Sequence, residues 1–197
     1  DIEDNPFVMN DENIEQIKKL NESSFPLINE NIEESMLQLI RDAKMSLDSI
    51  GGVVESKIVN LPVGLGEPYF LSIESYISSL LFSVPAVKAV EFGAGFAITK
   101  MNGSEANDSY QYIAGKVSTS SNNNGGILGG LSTGRPIIVR TAIKPTSSIS
   151  RPQQTVDLVK KENVELVVKG RHDPQIVSRA VHVINAVLNF ACLDLLL

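Results

Sequence analysis

An α+β domain is the fold class that this 197-residue chain predicts, and three observations carry it. Short runs rich in β-branched residues recur between glycine- and proline-punctuated turns, at Val53 to Leu61, Val87 to Phe92 and Pro136 to Ile143. Three stretches with apolar residues at helical spacing are interspersed among those runs, without the strict alternation of a doubly wound sheet. A hydrophobic content of 43% is enough for a core at this length.

Taken in order, Asp1 to Leu27 is polar, carries Pro6 and Pro26, and holds a short amphipathic helix candidate at Asn10 to Leu20; it is expected to be peripheral and flexible. Asn31 to Leu47 is a stronger helix. Asn31 and Glu34 have capping-box spacing, and Ile32, Met36, Leu39, Ile40, Ala43 and Leu47 form one apolar face to be buried. After Gly51-Gly52 comes the first strand, and after the Gly/Pro loop at Pro62 to Pro68, Ser72 caps a second helix with Ile73, Ile77, Leu80 and Leu81. Pro85 ends that helix. A buried strand at Val87 to Phe92 turns through Gly93 to Gly95, and Tyr112 to Val117 reads as one short strand. Thr155 to Leu158 and Val164 to Val168 bracket a charged turn as a hairpin. Pro174 to Leu197 is a long helix, apolar on several sides and expected to be deeply buried.

Lys plus Arg total 17 against 23 acids, a net charge of −6, which argues against a broad basic surface and hence against nucleic acid as a partner. No stretch reads as a membrane span. The single cysteine, Cys192, leaves no internal disulfide framework or cysteine-rich zinc site and fits a reducing cytoplasm. Glu105, Asn107 and Asp108 lie close together, but their spacing matches no calcium loop, so a solvated loop and no metal site is expected.

Two stretches carry chemistry. From Asn122 to Ser148 the chain reads NNNGGILGGLSTGRPIIVRTAIKPTSS, with glycines at 125, 126, 129 and 130. Such a loop can approach a ligand without side chains in the way, and the strand behind it delivers Lys144, Thr146, Ser147 and Ser148, a cation and three hydroxyls suited to phosphate, carboxylate or a polar ring edge. The same residues also fit a flexible surface hairpin with an ordinary lysine. The second stretch is Lys169-Gly170-Arg171-His172-Asp173-Pro174. Arg171 can pair bidentately with carboxylate or phosphate, while Asp173 before Pro174 also fits a helix N-cap that pairs with the arginine. His172 has the chemistry of a general base, yet a lone histidine is more often a hydrogen-bonded structural residue, and His182 and Cys192 fall within the apolar helix pattern.

Together these blocks resemble chorismate synthase. The resemblance is carried, in the family's order, by GGVVES at 51–56, NLPVGLGEP at 60–68, SVPAVKAVEFGAGF at 83–96, GSEAND at 103–108, NNNGGILGG at 122–130, KPTSSI at 144–149 and KGRHDP at 169–174 followed by RAVHV at 179–183. The family's amino-terminal blocks, with a GESHG-like opening and its catalytic histidines, are not among these residues. With the start at Asp1, that makes residues 1–197 look like a single-domain fragment, roughly the carboxy-terminal half of such an enzyme, in a β-α-β sandwich of antiparallel sheets packed on helices.

The resemblance implies conversion of 5-enolpyruvylshikimate 3-phosphate to chorismate and phosphate by 1,4-elimination with reduced FMN, in a cytoplasmic homotetramer, with NADPH as a candidate electron source. By motif, Pro85, Ala86, Gly129, Lys144, Pro145, Thr146, Ser147, Ser148 and Arg171 match FMN-contacting positions, Arg171 also faces the anionic substrate, and Asp173 matches the proposed proton acceptor. Gln175, Ala89 and Ser147 depart from the residues common there, and none removes a charge. The fragment alone is expected to be inactive, and the alternative to an enzyme half is a non-enzymatic flavin- or anion-binding module.

Overall fold

The computed structural model describes residues 2–4, 19–113 and 115–197, and these fall into two compact units, each assembled from separate chain segments. The helix candidate at Asn10 to Leu20 lies outside the described residues except at its end, where 19–22 is helical.

One unit comprises Val53–Ile143 with Val183–Leu197 and holds nearly all of the core. Its centre is a three-stranded sheet in the order β1 (Gly52–Ile58), β7 (Ile137–Ile143), β2 (Val87–Phe92). Strand β7 lies between the other two and alternates strictly: Ile137, Val139, Thr141 and Ile143 are buried while the residues between them are half-buried. It pairs antiparallel with β2, Glu91 facing Arg140 and Phe92 facing Val139, with a bulge between Val87 and Ala89. Helix α2 (Ile73–Phe82) begins where expected, the Ser72 hydroxyl accepting from the Ser75 N–H, and its Ile73, Ile77 and Leu81 are fully buried. Of the long helix α3 (Val177–Leu196), only the stripe Ile184, Leu188 and Ala191 is buried, at i, i+4 and i+7.

That stripe corrects the expectation of deep burial. Val183, Phe190 and Leu193 on the other sides of α3 are about half exposed, because within this unit one face of the helix alone meets the core. With 20 residues and a mean hydropathy of 1.4 over an 18-residue window, α3 is also long and apolar enough to cross a membrane by length and composition, contrary to the expectation from the sequence, and only 17% of that window is buried. The single strand expected at Tyr112 to Val117 is instead a hairpin, β3 (Tyr110–Ile113) with β4 (Lys116–Thr119), since Gly115 at φ +77 reverses the chain in its middle.

The second unit comprises Asp1–Gly52 with Lys144–His182. It contains α1 (Glu33–Met45), the hairpin of β8 (Gln153–Asp157) with β9 (Glu162–Leu166), and the start of α3. The capping box expected at Asn31 is not formed. A turn of 3-10 helix at Glu30–Ile32 precedes α1 and is capped by Asn29, whose side chain accepts from the Asn31 N–H, so the register of the cap moves two residues upstream. On α1 only Ala43 is buried, and Leu39 and Leu47 are exposed.

Candidate functional site

In the first unit the glycine loop is built on Gly93 and Gly125. A Cβ on Gly125 would lie 2.3 Å from the Gly93 nitrogen, so the two backbones touch in a way only glycine permits. The Ala94 N–H donates to the Asn123 carbonyl at 2.8 Å and the Gly93 N–H to Ile138 at 3.0 Å, which ties the loop to the end of β2 and to β7. Arg140 completes the anchor: its guanidinium pairs with Glu91 at 2.7 Å and donates to the Gly93 carbonyl at 2.7 Å. The loop then forms a miniature hairpin, β5 (Ile127–Leu128) with β6 (Leu131–Ser132), whose two-residue turn is Gly129-Gly130 at φ +62 and +88. Positive φ at both central positions is what a tight hairpin turn of this hand demands.

Three of the four glycines at 125–130 therefore serve internal packing. Gly130 lies against Ser72 and the Glu67 carbonyl and accepts the Ile73 N–H at 3.0 Å, and Gly126 lies against Pro136; Gly129 alone has open space where a Cβ would be and is exposed. A cleft of about 110 Å³, lined among others by Asp108, Tyr110, Asn124 and Leu128, runs beside the loop.

Asp108 is the residue the sequence reading missed. Glu105 and Asn107 are exposed as expected of a solvated loop, but Asp108 is half-buried and its carboxylate accepts four hydrogen bonds from the start of the glycine loop: Ser121 Oγ at 2.7 Å, the Asn123 N–H at 2.7 Å, and the Asn124 N–H and Nδ2 at 2.8 and 2.9 Å. Partial burial pushes its pKa up, but these donors outweigh it and hold the carboxyl below its ordinary value. The signal available was an acidic residue ahead of an asparagine run, which has no local spacing rule.

Also in this unit, Pro85 and Ala86 form the turn between α2 and β2, closed by the Val87 N–H to the Val84 carbonyl at 3.3 Å, with Ala86 at φ +74. Pro85 is exposed and Ala86 half-buried. Proline second and a positive φ third is type II turn chemistry, at a position where glycine would be unstrained.

In the second unit the other two predicted segments share one support. Ser49 Oγ donates to the Thr146 carbonyl at 2.6 Å, the Ile50 N–H donates to the Pro174 carbonyl at 2.9 Å, and Asp48 pairs with Arg151 at 2.8 Å. The Ser49 N–H and the Arg151 guanidinium together hold the Asp48 carboxyl below its usual range. Asp48 to Ile50 thus braces Lys144–Ser148 and Arg171–Pro174 together. Lys144, Pro145, Ser147 and Ser148 are exposed, Thr146 is half-buried, and its hydroxyl oxygen is buried without a hydrogen-bond partner among the described residues. Arg171 is exposed and makes no ion pair among the described residues.

Asp173 is not the N-cap. The helix begins at Val177, the Gln175 side chain accepts from the Ser178 N–H at 3.3 Å, and Asp173 instead pairs with Arg179 at 2.5 Å. Arg179, in the first turn of the helix, reaches back to it, so Asp173 does not pair with Arg171. His172 is the structural alternative, its Nε2 lying 3.0 Å from the Val168 carbonyl. Cys192 is half-buried and burial pushes its thiol pKa up, which suits the inert reading.

These units define an α+β protein; the first presents a bare glycine turn, and the second presents a lysine, hydroxyls and an arginine with no ion pair among the described residues, donors suited to an anion. The chain belongs to the chorismate synthase family, whose model matches residues 6–197. It is 52% identical over 165 residues to the chorismate synthase of Korarchaeum cryptofilum (strain OPF8), covering 82% of this chain and 46% of that protein. To that of Pyrococcus abyssi (strain GE5 / Orsay) it is 51% identical over 164 residues, covering 83% and 46%. A crystal structure of chorismate synthase matches with a TM-score of 0.70 at 28% identity, over 87% of this chain and 44% of that one. The chain spans about half the length of the curated relatives it matches.

Proposed function

We propose that this chain supplies the carboxy-terminal half of an enzyme that converts 5-enolpyruvylshikimate 3-phosphate to chorismate and phosphate, a carbon–oxygen lyase step towards aromatic compounds. The family membership over residues 6–197 carries the reading. When bound, reduced FMN lends electron density to an elimination that has no net redox change.

The residues present fit such a group. Thr146 has a buried hydroxyl oxygen with no partner among the described residues, and Gly129 offers backbone with no side chain in front of it. The residues assigned to the flavin are Pro85, Ala86, Gly129, Lys144 to Ser148 and Arg171, the lysine and hydroxyls serving its polar and anionic edges. Arg171, which makes no ion pair among the described residues, also neutralises charge on substrate phosphate or carboxylate. Asp173 accepts a proton, and its ion pair with Arg179 keeps the carboxylate oriented. The full enzyme is taken to be a cytoplasmic homotetramer drawing electrons from NADPH, either directly or through a separate reductase.

Residues 1–197 alone are proposed to give no turnover, because the family's catalytic histidines lie in blocks they do not contain. The test supplies reduced FMN and 5-enolpyruvylshikimate 3-phosphate anaerobically and measures chorismate formation, first with this chain and then with a full-length enzyme carrying it. Activity only in the second supports the proposal; turnover by residues 1–197 alone refutes the incompleteness, and flavin binding without turnover by the full-length enzyme favours a binding module.

A further inference from the structure

We propose that Asp108 is a positioning residue that sets the conformation of the glycine loop and, through it, the bare backbone at Gly129. The part concerning flavin rests on the function proposed above. The Asp108 carboxylate reaches 13 to 16 residues along the chain to collect four donors, two of them backbone N–H groups of consecutive residues, Asn123 and Asn124. Consecutive N–H groups pointing at one carboxylate fix the peptide planes between them.

Those planes are the entry to the loop. The Asn123 carbonyl on the far side takes the Ala94 N–H, Gly125 follows against the backbone of Gly93, and four residues later the chain reaches the Gly129-Gly130 turn. Each joint leaves little slack, since a Cβ at Gly125 or at Gly130 would meet other atoms at 2.3 or 2.6 Å. Asn123 Nδ2 adds a second strap in the same region, donating to the Glu105 carbonyl at 3.0 Å. The four-residue helical turn at Gly103–Ala106, closed by Asn102 and Glu105, therefore acts as a platform that delivers Asp108 to the loop.

The chemistry makes Asp108→Asn a sharp variant. Each carboxylate oxygen faces two donors, so replacing either by NH₂ sets donor against donor. Ser121 can rotate its hydroxyl to accept, but a backbone N–H cannot, so at least one of the Asn123 and Asn124 amides loses its acceptor or is pushed aside. Ser121→Ala is the matched control: it removes one donor and leaves both backbone bonds.

The test is amide hydrogen exchange on residues 1–197, with flavin fluorescence read in parallel using FMN as the probe. In Asp108→Asn, exchange at 122–130 should accelerate about tenfold or more, while Ile137 and Val139 in β7 stay as in the parent and Ser121→Ala changes neither. FMN affinity should fall about tenfold with it. Unchanged exchange in the loop, or equal acceleration in β7, overturns the positioning role, as does a loosened loop with undiminished FMN affinity. Should Asp108→Asn not fold, Asp108→Glu, which keeps the charge but displaces the carboxylate by one methylene, is judged by the same criteria. If the parent chain binds no FMN, the flavin reading fails by itself and exchange alone decides the role of Asp108.

Discussion

Leu47 shows how a single residue departs from what its position asks. It follows α1 at φ +58, its N–H bonding to the Lys44 carbonyl at 3.1 Å and the next N–H, of Asp48, to Ala43 at 2.9 Å. That is a Schellman ending with leucine where glycine is usual, and the leucine side chain is 54% exposed, so little packing offsets the strain. Leu47→Gly should therefore stabilise the protein by about 0.5–1 kcal/mol, a rise of a few degrees in melting temperature; a fall would show that the side chain is better buried than its exposure indicates. Asp108 has a predictable acid signature. Its folded pKa lies below the ordinary value, so it contributes stability that is complete above its unfolded pKa near 3.9 and lost as pH falls through the lower folded value. Melting curves from neutral pH down towards 3 should show Asp108→Asn less stable than the parent at neutrality, with the gap narrowing at the acid end. A gap constant with pH would remove the charge from the account. Neither feature was readable in advance, since a leucine in left-handed conformation and a carboxylate bonding 16 residues away leave no local pattern.

Elements were more legible because periodicity is set by burial. The Ile137 to Ile143 run, Ser72 before α2 and the strand at Val87 to Phe92 each carry a local cause and formed where the spacing demanded, although of that last run, at the edge of its sheet, only Val87 is buried and Lys88 and Ala89 are exposed. Pattern and structure differ where an apolar face lacks neighbours to cover it: the sequence of α3 specifies which residues can be buried, whereas the neighbours present decide which are. Strand β7 offers a paired test of this logic. Val139 is fully buried, so Val139→Ala should cost about 2 kcal/mol or more through lost burial and cavity formation. Thr141 is equally buried, but its hydroxyl has no partner among the described residues, so the near-isosteric Thr141→Val should be neutral or stabilise by about 1 kcal/mol. Denaturant midpoints at unchanged slope distinguish the two, and a costly Thr141→Val would mean that the hydroxyl is satisfied by water.

At the scale of the whole chain, each unit is discontinuous in sequence, and this bears on which pieces can fold. Val53–Ile143 holds β2, β7, α2 and the glycine loop, but its core also takes Ile184, Leu188 and Ala191 from a segment 40 residues further on, beginning at Val183. The sequence could flag the motifs on each segment, since glycines, KPTSS and KGRHDP are contiguous strings; the assembly of distant segments into one unit is a long-range fact that no string contains. Truncation before Val183 should then do more than trim a terminus. It removes three core side chains at once, and losses of 2–5 kcal/mol for each large one exceed what a marginally stable domain can absorb. A chain ending at His182 should lose cooperative melting and bind the dyes that report exposed apolar surface, whereas one ending at Leu193 keeps all three buried residues and should melt cooperatively at a lower temperature. If the shorter chain melts as sharply as the parent, the stripe on α3 contributes no essential part of the core.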